Sequence, residues 1–134
     1  PAQSRGYRAI GFAYPAKAAS AAPAPRRAEL EQFVADLKKA GHPELVDDAT
    51  TLWGYVLMRN AAAMLEKVDG EITPQSVSRT LTSLTDFQMF AGDKITCAGR
   101  VAAQGAACSD GLLVLEGAED GTLKVVGEGF TKAG

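Results

Sequence analysis

Residues Asp48 to Gly70 read DATTLWGYVLMRNAAAMLEKVDG, and this stretch decides how the chain folds. Trp53, Leu57, Ala61, Met64 and Val68 recur at helical spacing, and Leu52, Val56 and Ala63 widen the apolar stripe to more than half the girth. A helix so widely apolar is expected to be covered on two sides. Asp47 or Asp48 supplies the N-cap, since a short carboxylate accepts from free N–H groups of the first turn. Capping also explains that acidic pair better than a paired-carboxylate catalytic site does. Gly54 costs about 1 kcal/mol in a helix interior, so a neighbouring backbone is expected close to it. Val68-Asp69-Gly70 ends the helix.

Upstream, residues 7–14 (YRAIGFAY) combine aromatic and β-branched side chains and predict a strand. Ile10 and Phe12 fall on one face, with Ala9, Gly11 and Ala13 on the other. Residues 15–25 are Ala, Ser and Pro with a single Lys; Pro23 and Pro25 break any helix there, so a surface crossing is expected. A further helix opens at Pro25 or Arg26. Leu30, Phe33, Val34 and Leu37 form its buried stripe, Lys38 and Lys39 complement its negative end, and Gly41 supplies a left-handed stop.

Downstream, Thr73-Pro74 opens a third helix, the hydroxyl capping it and Pro occupying the first helical position. Val77, Leu81 and Leu84 form its stripe, and Phe87, Met89 and Phe90 follow in a linker tucked under the helices. From Gly92 onward the pattern becomes strand-like. Lys94 to Cys97 is a short strand. Leu112 to Leu115 is apolar at every residue, as in a strand covered on both sides. Glu119-Asp120-Gly121 supplies turn chemistry, Thr122 to Val126 returns, and residues 127–134 read as a partly ordered tail. The domain scheme is therefore a strand at 7–14, a crossing at 15–25, a helical part at 26–90 and a β-rich tail at 91–134. The first strand and the three short late ones are expected to make one small sheet.

The composition excludes some functions. With 134 residues, net charge −2 and 46% hydrophobic content, the chain can bury a core but carries no basic footprint for nucleic acid. Its longest apolar runs fall far short of the roughly 20 residues that span a bilayer. It opens Pro-Ala-Gln-Ser with neither an export signal nor an initiator Met, so the start reads as internal or trimmed. The two cysteines, Cys97 and Cys108, flank a loop rich in Gly and Ala. A bridge between them would stabilise by roughly 2–3 kcal/mol through chain entropy and would place the protein outside the cytosol. Two unpaired thiols are the alternative. A zinc site would need four ligands, and only His42 could join the thiols, so no metal is expected. His42 itself sits in a Gly-His-Pro-Glu loop and reads as solvated. No G-x-S-x-G elbow or phosphate loop occurs, so no catalytic residue and no cofactor is assigned.

Several segments, in order, resemble the last third of the type I periplasmic solute-binding proteins of the leucine/isoleucine/valine-binding kind. Gly11-Phe12-Ala13-Tyr14 with its Pro-bearing crossing looks like the strand re-entering a lobe. Glu31-Gln32-Phe33 with Leu37-Lys38-Lys39 looks like the helix that follows. Ala49-Thr50-Thr51 before Gly54-Tyr55 is similar to a helix start of that family. Asp69-Gly70 through Leu81, Phe90-Ala91-Gly92 and Asp120-Gly121 resemble its later helix, strand and hairpin. The Cys97–Cys108 insertion departs from the pattern, and the family's front two-thirds has no counterpart here.

The resemblance implies an α/β fold: the C-terminal part of a two-lobed binding protein, with three helices, short strands and a C-terminal hairpin. It implies a non-enzymatic, extracytoplasmic protein, periplasmic or a cell-surface lipoprotein. Its partners would be an amino acid or similar solute, the remainder of the same protein, and the membrane subunits of an ABC importer. By the resemblance, Thr50 and Thr51, with Trp53 near, contribute to the ligand cleft; a helix N-terminus suits an anion. The simpler reading is that the threonines cap the helix and Trp53 is core. A small disulfide-bonded extracellular interaction domain, or the sensory lobe of a receptor, is the alternative function.

Overall fold

The computed structural model describes residues 8–99, 108–109, 111–118, 120 and 122–132. Tyr7, residues 100–107 between the cysteines, Glu119 and Gly121 of the expected turn, and the last two residues of the tail lie outside that description. The chain is a mixed α/β protein with two small antiparallel sheets. β1 (Arg8–Gly11), β4 (Gly111–Gly117) and β5 (Leu123–Lys132) form one sheet in the order β1-β4-β5, and β2 (Phe87–Gln88) pairs with β3 (Lys94–Ile95) in the other. Two of the three late strands, β4 and β5, share a sheet with β1 as expected, but β3 does not. β3 finds its partner in the Phe87 segment, close in sequence.

α1 (Ala24–Ala40) follows its predicted pattern. Leu30 and Phe33 are fully buried, Val34 and Leu37 pack beside them, and Gly41 ends the helix at φ 86°. Burying a large apolar side chain of this kind contributes roughly 1.5–3 kcal/mol. α3 (Pro74–Ser83) carries a reciprocal cap: the Ser76 N–H donates to Thr73 Oγ1 at 3.1 Å while the Thr73 N–H donates to Ser76 Oγ at 2.9 Å. Leu84, just past it, is buried with Phe87 and Cys97 in a second, smaller core.

α2 (Ala49–Leu65) departs from the expected stripe. Its buried residues are Leu52 and Val56, which meet Leu30, Phe33, Phe90, Leu113 and Leu115 in the main core. Trp53 and Leu57, placed on the buried stripe by periodicity, are exposed. The helix is apolar nearly all round, so spacing alone could not choose the side that α1 and the sheet would cover. It also stops before Val68. Nothing approaches Gly54, whose absent Cβ would have open space, so the expected close backbone contact there is not made.

The crossing at 15–25 is less superficial than expected. It forms a 3₁₀ segment, Ala16–Ala21, in which Ala18 is fully buried, and Ala22 beside it is buried as well. Small side chains let this segment lie against the core, an effect no amphipathic pattern could announce. β4 buries Leu113 completely and Leu115 nearly so, while Leu112 and Val114 remain half-buried, so its second face is only partly covered. β5 continues through Lys132 rather than ending at Val126. Its register against β4 shifts between Leu113 and Leu115, and Gly127 and Gly129 there adopt positive φ, a bulge that glycine permits.

The segment Met89–Gly92 joins the elements. Ala91 has a positive φ of 52° and is fully buried, so its neighbouring backbone groups need partners. α1 provides two: Arg26 Nη1 donates to the Met89 carbonyl at 2.8 Å, and the Ala91 N–H donates to Glu29 Oε2 at 2.6 Å. α2 provides one, Asn60 Oδ1, which accepts from the Phe90 N–H at 2.7 Å. The Tyr14 N–H donates to the Ala91 carbonyl at 2.8 Å. Arg26 also pairs with Glu29 at 3.0 Å.

Candidate functional site

Asp48 caps α2. Its Oδ1 accepts from the Thr51 N–H at 2.7 Å and from the Thr51 hydroxyl at 2.8 Å. The Thr51 N–H, then the Thr51 hydroxyl, with the Thr50 N–H adding to them, hold the Asp48 carboxyl below the usual carboxylate range. A fixed negative charge already occupies the positive end of the helix. Thr51 is therefore committed to the cap, while Thr50 is exposed. A ligand anion reaching this helix end would meet the Asp48 charge. Of the acidic pair, Asp47 instead forms an exposed ion pair with Lys17 at 3.5 Å.

Trp53 is not core. Its ring is 42% exposed and meets Phe12 edge-on, with centroids 6.1 Å apart. Beside this pair lie two more bare apolar side chains, Ile10 (66% exposed) and Leu57 (62%), and Phe12 itself is 48% exposed; Met58 (71%) is bare farther round the helix. Phe12, Trp53 and Leu57 line a cleft of about 450 Å³ whose far wall is Met89, Ile95 and Cys108. A second recess of about 200 Å³ also uses Trp53, against Ile10, Leu52 and Leu115.

The polar groups at the larger cleft are Asn60 and Ser109, and both are engaged internally. Asn60 Oδ1 holds the Phe90 N–H, and Ser109 Oγ accepts from the Gly111 N–H at 3.2 Å. The cleft can therefore offer apolar contact area but few spare polar groups. β1 is an edge strand of its sheet, with its outer side unpaired among the described residues.

Cys97 and Cys108 form a disulfide with Cα atoms 4.4 Å apart. Cys97 N–H donates to the Leu84 carbonyl at 2.8 Å and Thr96 N–H to the Cys108 carbonyl at 3.1 Å, so the bridge ties β3 to the approach of β4. The bond is compatible with an extracellular location. No helix among the described residues is long and apolar enough to cross a membrane, and no group of three or more metal-ligating side chains occurs among them. His42 is exposed, with Nδ1 3.2 Å from Glu44 Oε1.

No family model, curated protein or solved structure matches the chain.

Of the three residues singled out from sequence, Thr50 and Thr51 sit in the first turn of α2 and Trp53 on its bare flank; neither threonine lines the two recesses that Trp53 borders. Met58 and Asn60 were not anticipated. Met58 was hidden because the i, i+4 stripe through Trp53 and Leu57 passes beside it. Asn60, a polar residue within an apolar helix, was the available signal for an internal hydrogen bond.

Proposed function

We propose that this chain is part of a transport-linked solute-binding protein, which captures an amino acid or a similar small solute by closure of two lobes and delivers it to an ABC importer. The observation that carries this reading is the bare apolar group of Ile10, Phe12, Trp53 and Leu57 on α2 and on β1 with the residue just past it. A helix with that much uncovered apolar surface, beside an open strand edge, fits a body designed to be covered. In the bilobed arrangement the remainder of the same protein supplies that cover. The ordered resemblance along the chain supports the same assignment, and the Cys97–Cys108 bridge suits an extracytoplasmic protein.

In such a protein the ligand selects the closed state because it touches both lobes at once. This part alone holds only one side of the contact. Thr50 and Trp53 would then stand at the cleft edge, with Asp48 setting a negative charge that favours the ammonium rather than the carboxylate end of an amino acid.

The bare group also favours a second reading, a small disulfide-bonded extracellular domain that docks another protein. The sensory lobe of a receptor would share the first arrangement. Calorimetric titration with amino acids separates them. The isolated chain should bind weakly or not at all, and the polypeptide encoded by the whole reading frame should bind at least one amino acid with a defined stoichiometry. A reading frame that adds no second lobe, with no amino-acid binding, would sink the transport reading and leave the interaction domain.

A further inference from the structure

A recess of about 230 Å³ opens on another part of the molecule and shares no lining residue with the cleft at Phe12 and Trp53. Tyr14 and Phe130 form its aromatic wall, edge to face with centroids 5.4 Å apart. Tyr14 is 2% exposed, and its hydroxyl makes no hydrogen bond to another described residue, although the oxygen is not a buried orphan. Asp93 lies in the same recess and is near enough to Tyr14 that its charge, after burial, raises the phenol's pKa.

Two glycines of the β4–β5 hairpin leave room for these groups. A Cβ on Gly111 would fall 2.7 Å from Asp93 Oδ2, and one on Gly129 would fall 3.0 Å from Tyr14 Oη. Side chains at either position would press directly on the carboxylate or the phenol oxygen.

The charges in the recess do not cancel. Arg26 lines it too, but its guanidinium is already 3.0 Å from Glu29 and donates to the Met89 carbonyl. Arg26 and Glu29 neutralise each other, leaving the charge of Asp93. Among the described residues no cation lies within 4 Å of that carboxylate. Gln88 spends its Nε2 on the Gly92 and Met89 carbonyls at 2.9 and 3.1 Å, so its amide oxygen remains an acceptor.

We propose that this recess binds a primary ammonium group, either of a small amine or of the end of a larger one. The three N–H donors of an alkylammonium match three acceptors of different kind: the Asp93 carboxylate, the Tyr14 hydroxyl and the Gln88 amide oxygen. Phe130 and Tyr14 add aromatic surface, which attracts a desolvated cation. A hard metal cation fits poorly, since it takes six or more oxygen ligands and only one carboxylate is present. The volume is below the roughly 300–1,000 Å³ of sites for drug-sized ligands, so a small alkyl group fills it. This proposal is independent of the solute-binding reading and stands if that reading fails.

The test is an NMR titration of the 134-residue chain with n-butylammonium, using n-butanol and butyrate as neutral and anionic comparators. Butylammonium should give saturable shifts at the Gly111 and Gly129 amides and at the Tyr14 and Phe130 rings. The comparators should bind at least about tenfold more weakly, as expected when a charge-assisted hydrogen bond sets affinity. Asp93→Asn should weaken butylammonium by a similar factor, and Tyr14→Phe by a smaller one, with far-UV dichroism unchanged. Equal binding of butanol would overturn the proposal, as would shifts located elsewhere or shifts that Asp93→Asn leaves intact. Should a variant unfold, the comparison of the three ligands on the unaltered chain still decides.

Discussion

The Tyr55 hydroxyl on α2 donates to Asp36 Oδ2 on α1 at 2.5 Å, while Gln32 Nε2 donates to the other oxygen of Asp36 at 2.7 Å. Above this tie the rings of Phe33, Tyr55 and Phe90 stack edge to face at 5.1 and 5.4 Å, and the Arg59 guanidinium lies 5.5 Å from the Phe90 centroid. The two helices are therefore joined by a polar contact at the rim of an aromatic one. Tyr55→Phe keeps the ring and removes the bond. It should lower the unfolding free energy by about 1 kcal/mol, measured by urea denaturation.

The same pair predicts the pH dependence. Burial, then the bond to Asp36, pushes the Tyr55 phenol up to about 12, whereas an unfolded tyrosine loses its proton near about 10. The folded state holds that proton more tightly, so the stabilisation is complete below about pH 10 and is lost as the pH rises toward about 12. For Asp36 the sign is opposite. The Tyr55 hydroxyl, then Gln32, hold its carboxyl below the usual range. Its stabilisation is present above about pH 4 and is lost as the pH falls through the folded value. Tyr55→Phe should flatten the alkaline limb of a thermal-melting profile; an unchanged alkaline limb would contradict the assignment.

Substitutions along α2 should reveal which side is covered. Leu52→Ala empties a buried site and should cost about 2–5 kcal/mol. Leu57→Ala, on the bare flank, should change the stability of the isolated chain by no more than about 0.5 kcal/mol. Chemical denaturation of both variants gives the comparison. The reverse ranking would restore the stripe that periodicity suggested.

The turn at Met89–Gly92 should be sensitive out of proportion to its length. Asn60→Ala leaves the Phe90 N–H without its acceptor and should cost about 1–3 kcal/mol. Gly92→Ala would set a methyl 2.9 Å from the Phe12 carbonyl and about as close to Met89, costing about 1–3 kcal/mol through overpacking. Both are measured by thermal or urea unfolding, and Asn60→Asp distinguishes loss of the acceptor from a change of shape.

Reduction of Cys97–Cys108, or the double change Cys97→Ser and Cys108→Ser, should lower stability by about 2–3 kcal/mol from the lost constraint on the unfolded chain. Alkylation under non-reducing conditions followed by mass spectrometry should find no free thiol in the native protein.

Much of the local structure was legible in the sequence. Leu30, Phe33 and Leu37 stand against charged neighbours, so the α1 stripe has contrast. Thr73-Pro74 and Gly41 carry backbone chemistry that few other residues supply. α2 lacked that contrast, because Leu52, Trp53, Val56, Leu57 and Met58 offer apolar surface in several directions and only tertiary packing selects one. Ala18 and Ala22 gave no signal, since alanine suits core and surface alike. The ties from Arg26 and Glu29 to Met89 and Ala91 span 63 and 62 residues, a separation at which no local pattern operates. Thr51 was legible as a capping partner, and the exposure of Trp53 was not, because a lone tryptophan in an apolar helix reads equally as core.

The central proposal is that the flank of α2 bearing Trp53 and Leu57 is covered by another part of the same protein. Hydroxyl-radical footprinting of Phe12 and Trp53 tests it most directly, comparing the isolated 134-residue chain with the polypeptide encoded by its whole reading frame. Rapid oxidation of both residues in the isolated chain and strong protection in the longer polypeptide are the predicted result. Equal oxidation in the two would contradict the account.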